Sequence, residues 1–496
     1  MTFISLTYAL FLISILGIFW SVQQQWLRMW ALLAASIVFY ASLQPQYIPL
    51  LLAAAWITFR IGQVISSPPD WRIEDWQFAQ QDWNRQRLKL LWFGIVVNVL
   101  LLFGFKYIPF VLLTIGAVVG STPLQTQAEW TRENLIAPLG LSFFCFECIA
   151  YLVDVYRGAP AAQQFLKFSA YKLFFPKLIS GPITRYQLFA TQAQNQSFPS
   201  LDRISEGLWL IACGSVKKGL IADNLGVLVD LSFQNLQRAG SGDLWLATVA
   251  YGFQLYLDFS GYIDMARGSA LLLGFNLPQN FDFPYFATSI ADFWRRWHIT
   301  LGDWLRNYLY FPLGGSRQGL TRTCLNLMIV MVIAGIWHGA AWGFIVWGIL
   351  HGLALVIHRL TDALSERYEG LKYFWQGAVG MVAAWLLTQI MVFFAWIFFR
   401  LPDLKDAWFV MQRLWGHPAD AQFAQKVYLD TFGLEPLQIG LMLGILAALM
   451  AVAYTFNRLL KLQLNWHIKL LLVPVCLFAV WLLAPEGSLP YIYFDF

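Results

Sequence analysis

The stretch from Arg322 to Leu360 constrains this chain more than any other. It is apolar almost throughout, has Arg322 and Arg359 at its ends, and carries His338 inside Gly335-Ile336-Trp337-His338-Gly339-Ala340-Ala341-Trp342-Gly343. A membrane span takes about 20 apolar residues, so the stretch is too long for one soluble-core helix and fits two membrane helices meeting at a turn. On a helical path rising about 1.5 Å per residue, His338 lies roughly 24 Å from Arg322. If Arg322 marks the membrane surface, His338 sits well inside the bilayer. An imidazole at that depth is costly unless it faces protein or a water-filled cavity.

Composition extends this reading to the whole chain. Of 496 residues, 58% are hydrophobic and 12% are charged, against the roughly 25% charged of a soluble domain. The expected class is an all-α polytopic membrane protein. Many of the 24 tryptophans should mark the two membrane–water interfaces. The net charge of +5 is small and no basic patch suited to nucleic acid is present. Cys145 and Cys148 form a C-x-x-C inside the apolar run Phe143–Val155, with no further ligands nearby. Buried structural thiols are expected there, and no metal centre. The apolar run Phe3–Trp20 lacks a basic leader and a small-residue cleavage site, and reads as a retained first transmembrane helix.

In chain order, apolar runs fall near 3–20, 29–43 and 47–65. The polar loop Ser66–Gln86 follows, with Pro68-Pro69-Asp70 and Arg72, and with Arg60, Arg85, Arg87 and Lys89 in or beside it. The Lys/Arg bias places this loop, and the basic region 295–322, in the cytoplasm. Region 90–120 is one long helix or two broken near Lys106-Tyr107-Ile108-Pro109. Leu135–Tyr156 is apolar. Phe174-Phe175-Pro176-Lys177-Leu178-Ile179-Ser180-Gly181-Pro182 is too short and too broken to span, and reads equally as a re-entrant or interfacial segment or as a surface loop with an aromatic anchor. Helical runs follow near 204–232, with Lys217-Lys218 and Asp223-Asn224, and 244–275, with Asp258, Ser260, Asp264 and Arg267. Asp264 and Arg267 are helix-face neighbours able to pair. Charges at such depth are either functional or structural pairs between helices. Residues 287–312 predict one amphipathic interfacial helix, with His298 on the apolar stripe and Arg295, Arg296 and Arg306 opposite, facing headgroups or donor phosphates. Further spans near 376–400, 436–456 and 468–483 bring the count to about eleven.

Six histidines are present. His351, His358, His417 and His467 read as interfacial or packing residues. His298 and His338 stand in apolar settings, and a neutral imidazole can take a proton from a hydroxyl at neutral pH. Gly335, Gly339, Gly343, Gly348 and Gly352 form a ridge that either packs helix on helix or leaves a groove in which a substrate chain threads.

Three elements resemble the membrane-bound O-acyltransferase family, and within it the bacterial alginate O-acetylation branch. They are Asp292-Phe293-Trp294-Arg295-Arg296-Trp297-His298-Ile299-Thr300-Leu301, Trp304–Gly315, and Gly335–Trp342. Supporting pieces are Pro138–Phe144, Asp154–Gly158, Phe175–Pro182, Ile221–Asn224, Asp258–Ala266 and Tyr491–Phe494, so the resemblance runs along essentially the whole chain. One departure is Thr300, where serine is expected; a hydroxyl remains.

The resemblance implies one acyltransferase domain over 1–496, with N-terminal helices at 1–120, a core at 134–400 and C-terminal helices at 401–496, arranged around a funnel or tunnel. It implies His338 as the catalytic residue and His298 as the second site histidine. Trp337, Asp258, Ser260, Asp264, Arg267 and Lys177 are the expected substrate-binding or tunnel-lining residues. No bound cofactor is implied. The donor would be acetyl-CoA from the cytoplasm, and the acetyl group would cross a bacterial inner membrane toward a periplasmic acetyltransferase and a polysaccharide. Two alternatives are a D-alanyl transferase to teichoic acid, whose donor is a carrier protein, and a transporter with a proton or ion path through Asp258, Asp264, Arg267, Lys177 and Lys217.

Overall fold

The structure is a computed structural model that describes every residue except 69–75, 486, 488, 495 and 496. The described residues form helices joined by turns, with no strand among them. Seven helices are long and apolar enough to cross a membrane, and Leu6–Ser21 and Ile108–Val119 are shorter apolar helices. The chain is a multi-pass membrane protein. Part of the polar loop expected at 66–86, including Pro69, Asp70 and Arg72, lies outside the described residues.

Two compact units emerge, the first comprising 1–211 and 265–278, the second 212–264 and 279–496. In the first, the run at 90–120 is broken. One helix ends at Lys106, the next starts at Ile108, and Pro109 sits in its first turn, where a missing N–H costs nothing. The polar piece after it is itself a helix, Thr122–Asn134. Helix Phe165–Lys172 leads into an irregular segment whose Phe174, Phe175, Lys177, Leu178, Ile179 and Ser180 are all buried. The surface-loop alternative therefore falls. The Phe175 ring packs edge-on against Phe11 at 5.2 Å, and its N–H donates to Ser36 Oγ at 3.1 Å. Non-helical backbone survives here because protein surrounds it and supplies its hydrogen bonds. Gly140 makes the approach possible: at φ +77° it has no Cβ, and one would sit 2.5 Å from the Leu178 carbonyl oxygen.

In the second unit, the stretch Arg322–Leu360 falls in two helices, Gly319–His338 and Trp342–Arg367, joined by a tight turn. The glycine ridge is their seam. A Cβ on Gly335 would meet the Phe344 carbonyl oxygen at 2.3 Å, and one on Gly348 would meet the Met331 carbonyl oxygen at 2.5 Å. Of the two alternatives for the ridge, helix-on-helix packing holds at these positions, because glycine lets the two backbones touch.

The region 287–312 also departs from expectation. It is not one helix but Ile290–Arg296, then Ile299–Leu305, then a wide-turn segment Arg306–Tyr310. The break falls at His298, whose φ of 44° and ψ of 54° are left-handed. Both halves still follow the apolar stripe: Phe293, Trp297, Leu301 and Leu305 are buried.

Candidate active site

His338 ends its helix. Gly339 follows in an extended conformation, with φ −167°, so the helix stops with the imidazole at its last turn. The start of the next helix is pinned from outside, since Gly343 N–H donates to the Pro402 carbonyl at 3.0 Å. That contact brings the end of helix Ala378–Arg400, with Phe399, up to the turn. His338 is 2% exposed. Its ring meets Trp337 at 4.9 Å, Trp347 at 5.0 Å and Phe399 at 5.0 Å, each steeply inclined to it.

His298 is completely buried. Phe259 lies edge-on at 4.9 Å and Trp337 at 6.1 Å. Tyr493 completes the cluster, with its ring centroid 6.0 Å from His298 and 6.0 Å from His338. The two histidines thus share Trp337 and Tyr493 as neighbours, within one cluster of aromatic rings. Burial pushes the pKa of His298 from 6.5 to about 3, so it is neutral near pH 7.

A left-handed histidine costs about 1–3 kcal/mol and persists only where its surroundings hold it. Asn280 does so. Its carbonyl accepts Ile299 N–H at 2.9 Å, and its Oδ1 accepts Thr300 N–H at 2.9 Å and the Thr300 hydroxyl at 2.7 Å. The neighbouring Asp282 N–H donates to the Arg296 carbonyl at 2.9 Å. The backbone on both sides of His298 is therefore bonded to 280–282. Thr300, the departure from the family pattern, keeps the hydroxyl that this bonding uses.

The other expected site residues divide. Trp337 is in the cluster. Asp258 reaches it indirectly: its Oδ2 accepts Ile492 N–H at 3.1 Å, next to Tyr493, and its neighbour Phe259 stacks on Tyr493 at 3.9 Å. Ser260 is buried, and its hydroxyl makes no hydrogen bond among the described residues. Asp264 pairs with Lys217 at 2.6 Å, on the partly exposed end of the same helix. Arg267 and Lys177 belong to the first unit. There Arg267 Nε donates to the Leu277 carbonyl at 3.3 Å, and Lys177 pairs with Glu147 at 2.6 Å. Arg295 and Arg306 are more than half exposed, opposite the apolar stripe, while Arg296 pairs with Asp292 at 2.8 Å. His351 is fully buried against Trp347 at 4.7 Å and Trp294 at 5.3 Å. The thiols of Cys145 and Cys148 are free and buried.

Sequence reasoning missed Asn280, Phe259, Trp347 and Phe399. Asn280 stands with Gln279 and Asp282 in the stretch Leu277–Pro284, so nothing local set it apart. The aromatic residues carry no local sign at all.

Residues 140–399, the span that holds both histidines, match the model of the membrane-bound O-acyltransferase family. The chain belongs to that family. It is 35% identical over 451 residues to the probable alginate O-acetylase of Pseudomonas syringae pv. tomato, covering 90% of this chain and 78% of the relative. It is 34% identical over 416 residues to the peptidoglycan O-acetyltransferase of Helicobacter pylori, covering 78% and 74%. With the teichoic acid D-alanyltransferase of Streptococcus thermophilus it shares 29% over 302 residues, 56% of this chain and 71% of that one. This protein is an O-acyltransferase, and the transporter alternative gives way.

Proposed function

We propose that this acyltransferase takes an acetyl group from acetyl-CoA on the cytoplasmic side of a bacterial inner membrane and passes it outward for O-acetylation of an exopolysaccharide or cell-wall polymer, with His338 as general base and His298 beside it. A periplasmic acetyltransferase is the partner that hands the group to the polymer. The observation that carries this reading is the pair of buried histidines sharing Trp337 and Tyr493 inside one aromatic cluster. A thioester already has a good leaving group, so the site must supply an activated nucleophile and keep water from the donor. The imidazole takes the acceptor's O–H proton as the new O–C bond forms. The C–S bond breaks, and the proton passes to the departing thiolate. The rings around His338 supply the dry surroundings. Arg295 and Arg306, exposed on the polar side of the broken helix, suit the donor's phosphates.

Acetyl as the group transferred is favoured over D-alanyl because the O-acetylating relatives match over more of the chain and at higher identity. The test is transfer from acetyl-CoA in membranes carrying His338→Ala at matched abundance. General-base catalysis contributes about 10²–10⁴-fold, so transfer should fall by at least about 100-fold. His338→Gln should not restore it, since an amide cannot take the proton. Transfer near the unsubstituted level would overturn the role of His338. Transfer only from an aminoacylated carrier protein would replace acetyl by D-alanyl.

A further inference from the structure

Lys218 was visible in the sequence only as half of a basic pair. In the structure it is 2% exposed and its ammonium lies 2.7 Å from Asp223 Oδ1, 2.6 Å from Asp258 Oδ1 and 3.2 Å from the Pro490 carbonyl oxygen. An ammonium has three N–H bonds, and three oxygens lie within 3.2 Å of this one. Two of the oxygens are carboxylates on neighbouring helical segments, and the third belongs to the 489–494 segment. The same segment is held at four further points. Asp258 accepts Ile492 N–H at 3.1 Å, and Asp223 accepts a backbone hydrogen bond from Leu489. The Tyr491 ring lies 4.7 Å from the Lys218 ammonium and 5.1 Å, edge-on, from Tyr262. Leu489 presses onto Gly226, where a Cβ would come within 2.5 Å of it.

We propose that Lys218, Asp223 and Asp258 form a seat for the 489–494 segment, and that this seat holds the Tyr493 ring against both histidines, making Lys218 a positioning residue for acyl transfer. The segment has one short helical turn, Ile492–Phe494, which cannot fix its own place. Its attachment is ionic and backbone-directed, and therefore orientation-specific, whereas ring packing alone would tolerate sliding. One residue beyond the seat's last hydrogen bond, Tyr493 stacks on Phe259 at 3.9 Å and forms one wall of the cluster. Without the seat that wall would open, admitting water to a thioester.

The inference rests on the histidine site proposed above, and its test separates the two. Leu489→Cys, in an otherwise cysteine-free chain, reports whether the segment is seated, through its rate of labelling by a maleimide in purified protein. Lys218→Met should raise that rate at least about tenfold, by shifting the local opening equilibrium. Transfer should fall at least tenfold, and Tyr493→Ala added to Lys218→Met should cost little more, because both remove the same wall. Lys218→Arg, which keeps the charge, should retain part of the transfer. If Lys218→Met does not accumulate in membranes, Asp258→Asn takes its place in the same cycle, removing one carboxylate charge while keeping the shape.

Unchanged labelling would overturn the seat, and so would losses from Lys218→Met and Tyr493→Ala that multiply as independent effects. If labelling rises as expected while His338→Ala still transfers acetyl, the seat stands and the histidine reading fails.

Discussion

Two buried ion clusters, one in each unit, are built in opposite senses. In the first unit Glu147 is one carboxylate between two lysines: Lys177 at 2.6 Å and Lys172 at 3.2 Å. Its remaining acceptor positions take Thr184 N–H at 3.0 Å and the Thr184 hydroxyl at 3.1 Å, while Lys172 also donates to the Phe144 carbonyl at 2.9 Å. Every one of these bonds stays among the segments 144–147, 172–177 and 184. In the second unit Lys218 is one cation between two carboxylates, and both it and Asp258 reach outward to the 489–494 segment. The first cluster fastens an irregular buried segment to a helix. The second fastens a segment that touches the histidines. Both clusters are buried and each holds three charges, so burial and charge alone do not mark function. What the ions are bonded to does.

The contrast predicts opposite ways of failing. Removing one partner of a buried ion pair costs about 3–5 kcal/mol, because the charge left behind is uncompensated. Glu147→Ala leaves two buried ammonium groups, and the protein should nearly vanish from membranes, as read by immunoblot against the unsubstituted chain. Replacing the whole cluster with apolar side chains (Glu147→Leu, Lys172→Met, Lys177→Met) should recover much of the abundance. Lys218→Met strands two buried carboxylates and should lower abundance as well, but the protein that remains should lose transfer per molecule, which sets it apart from Glu147→Ala. If Glu147→Ala accumulates normally but does not transfer, the first cluster belongs to the site, and Lys177 regains its place among the lining residues.

The sequence made one of these regions far more legible than the other. The apolar length between Arg322 and Leu360 calls for two helices, and two are found, with His338 buried at the end of the first, so the central element follows from counting residues. The helical phase at 287–312 likewise put His298 on the buried face. The same periodicity hid the break at His298, because an apolar stripe looks alike in one helix and in two short ones. That break is fixed by Asn280, and a bond between distant positions leaves no periodic trace. The pairing of Lys218 was hidden for the same reason. Spacing rules find partners three or four residues apart, as for Asp292 and Arg296, whereas Lys218 meets Asp258 only after the chain has turned back.

The Asn280 bonding sharpens the comparison from the uncharged side. Asn280→Ala strands Thr300 N–H and hydroxyl in a buried place, a loss of about 1–3 kcal/mol, and loosens the hold on His298, leaving only the backbone bonds of 280 and 282. Each 1.4 kcal/mol lost from the transition state is about tenfold in rate, so transfer should fall roughly tenfold while abundance drops modestly. Asn280→Asp keeps the Oδ1 acceptor and should fall less in transfer per molecule. Equal losses for both variants would show that the side chain's volume matters there and its hydrogen bonds do not.

The smallest effect expected is one of pH. In the two ion clusters each charge lies beside an opposite one, whereas burial holds His298 neutral. Its native pKa, about 3, lies below the ordinary 6.5 of an unfolded chain. Between those values the unfolded chain binds a proton that the native site refuses, so acid favours unfolding. The stability tied to His298 is whole above about pH 6.5 and is lost as pH falls toward about 3, at no more than about 1.4 kcal/mol per pH unit. Thermal unfolding of purified protein between about pH 7.5 and about pH 5 reads this directly. Over that window the melting temperature should fall more for the unsubstituted protein than for His298→Gln, which has no proton to take up there. The two curves should approach each other as pH drops, even if His298→Gln starts lower. Parallel curves would mean that His298 takes up its proton in the folded protein as readily as in the unfolded one. The cluster would then be open to water, which a site that shields a thioester cannot be.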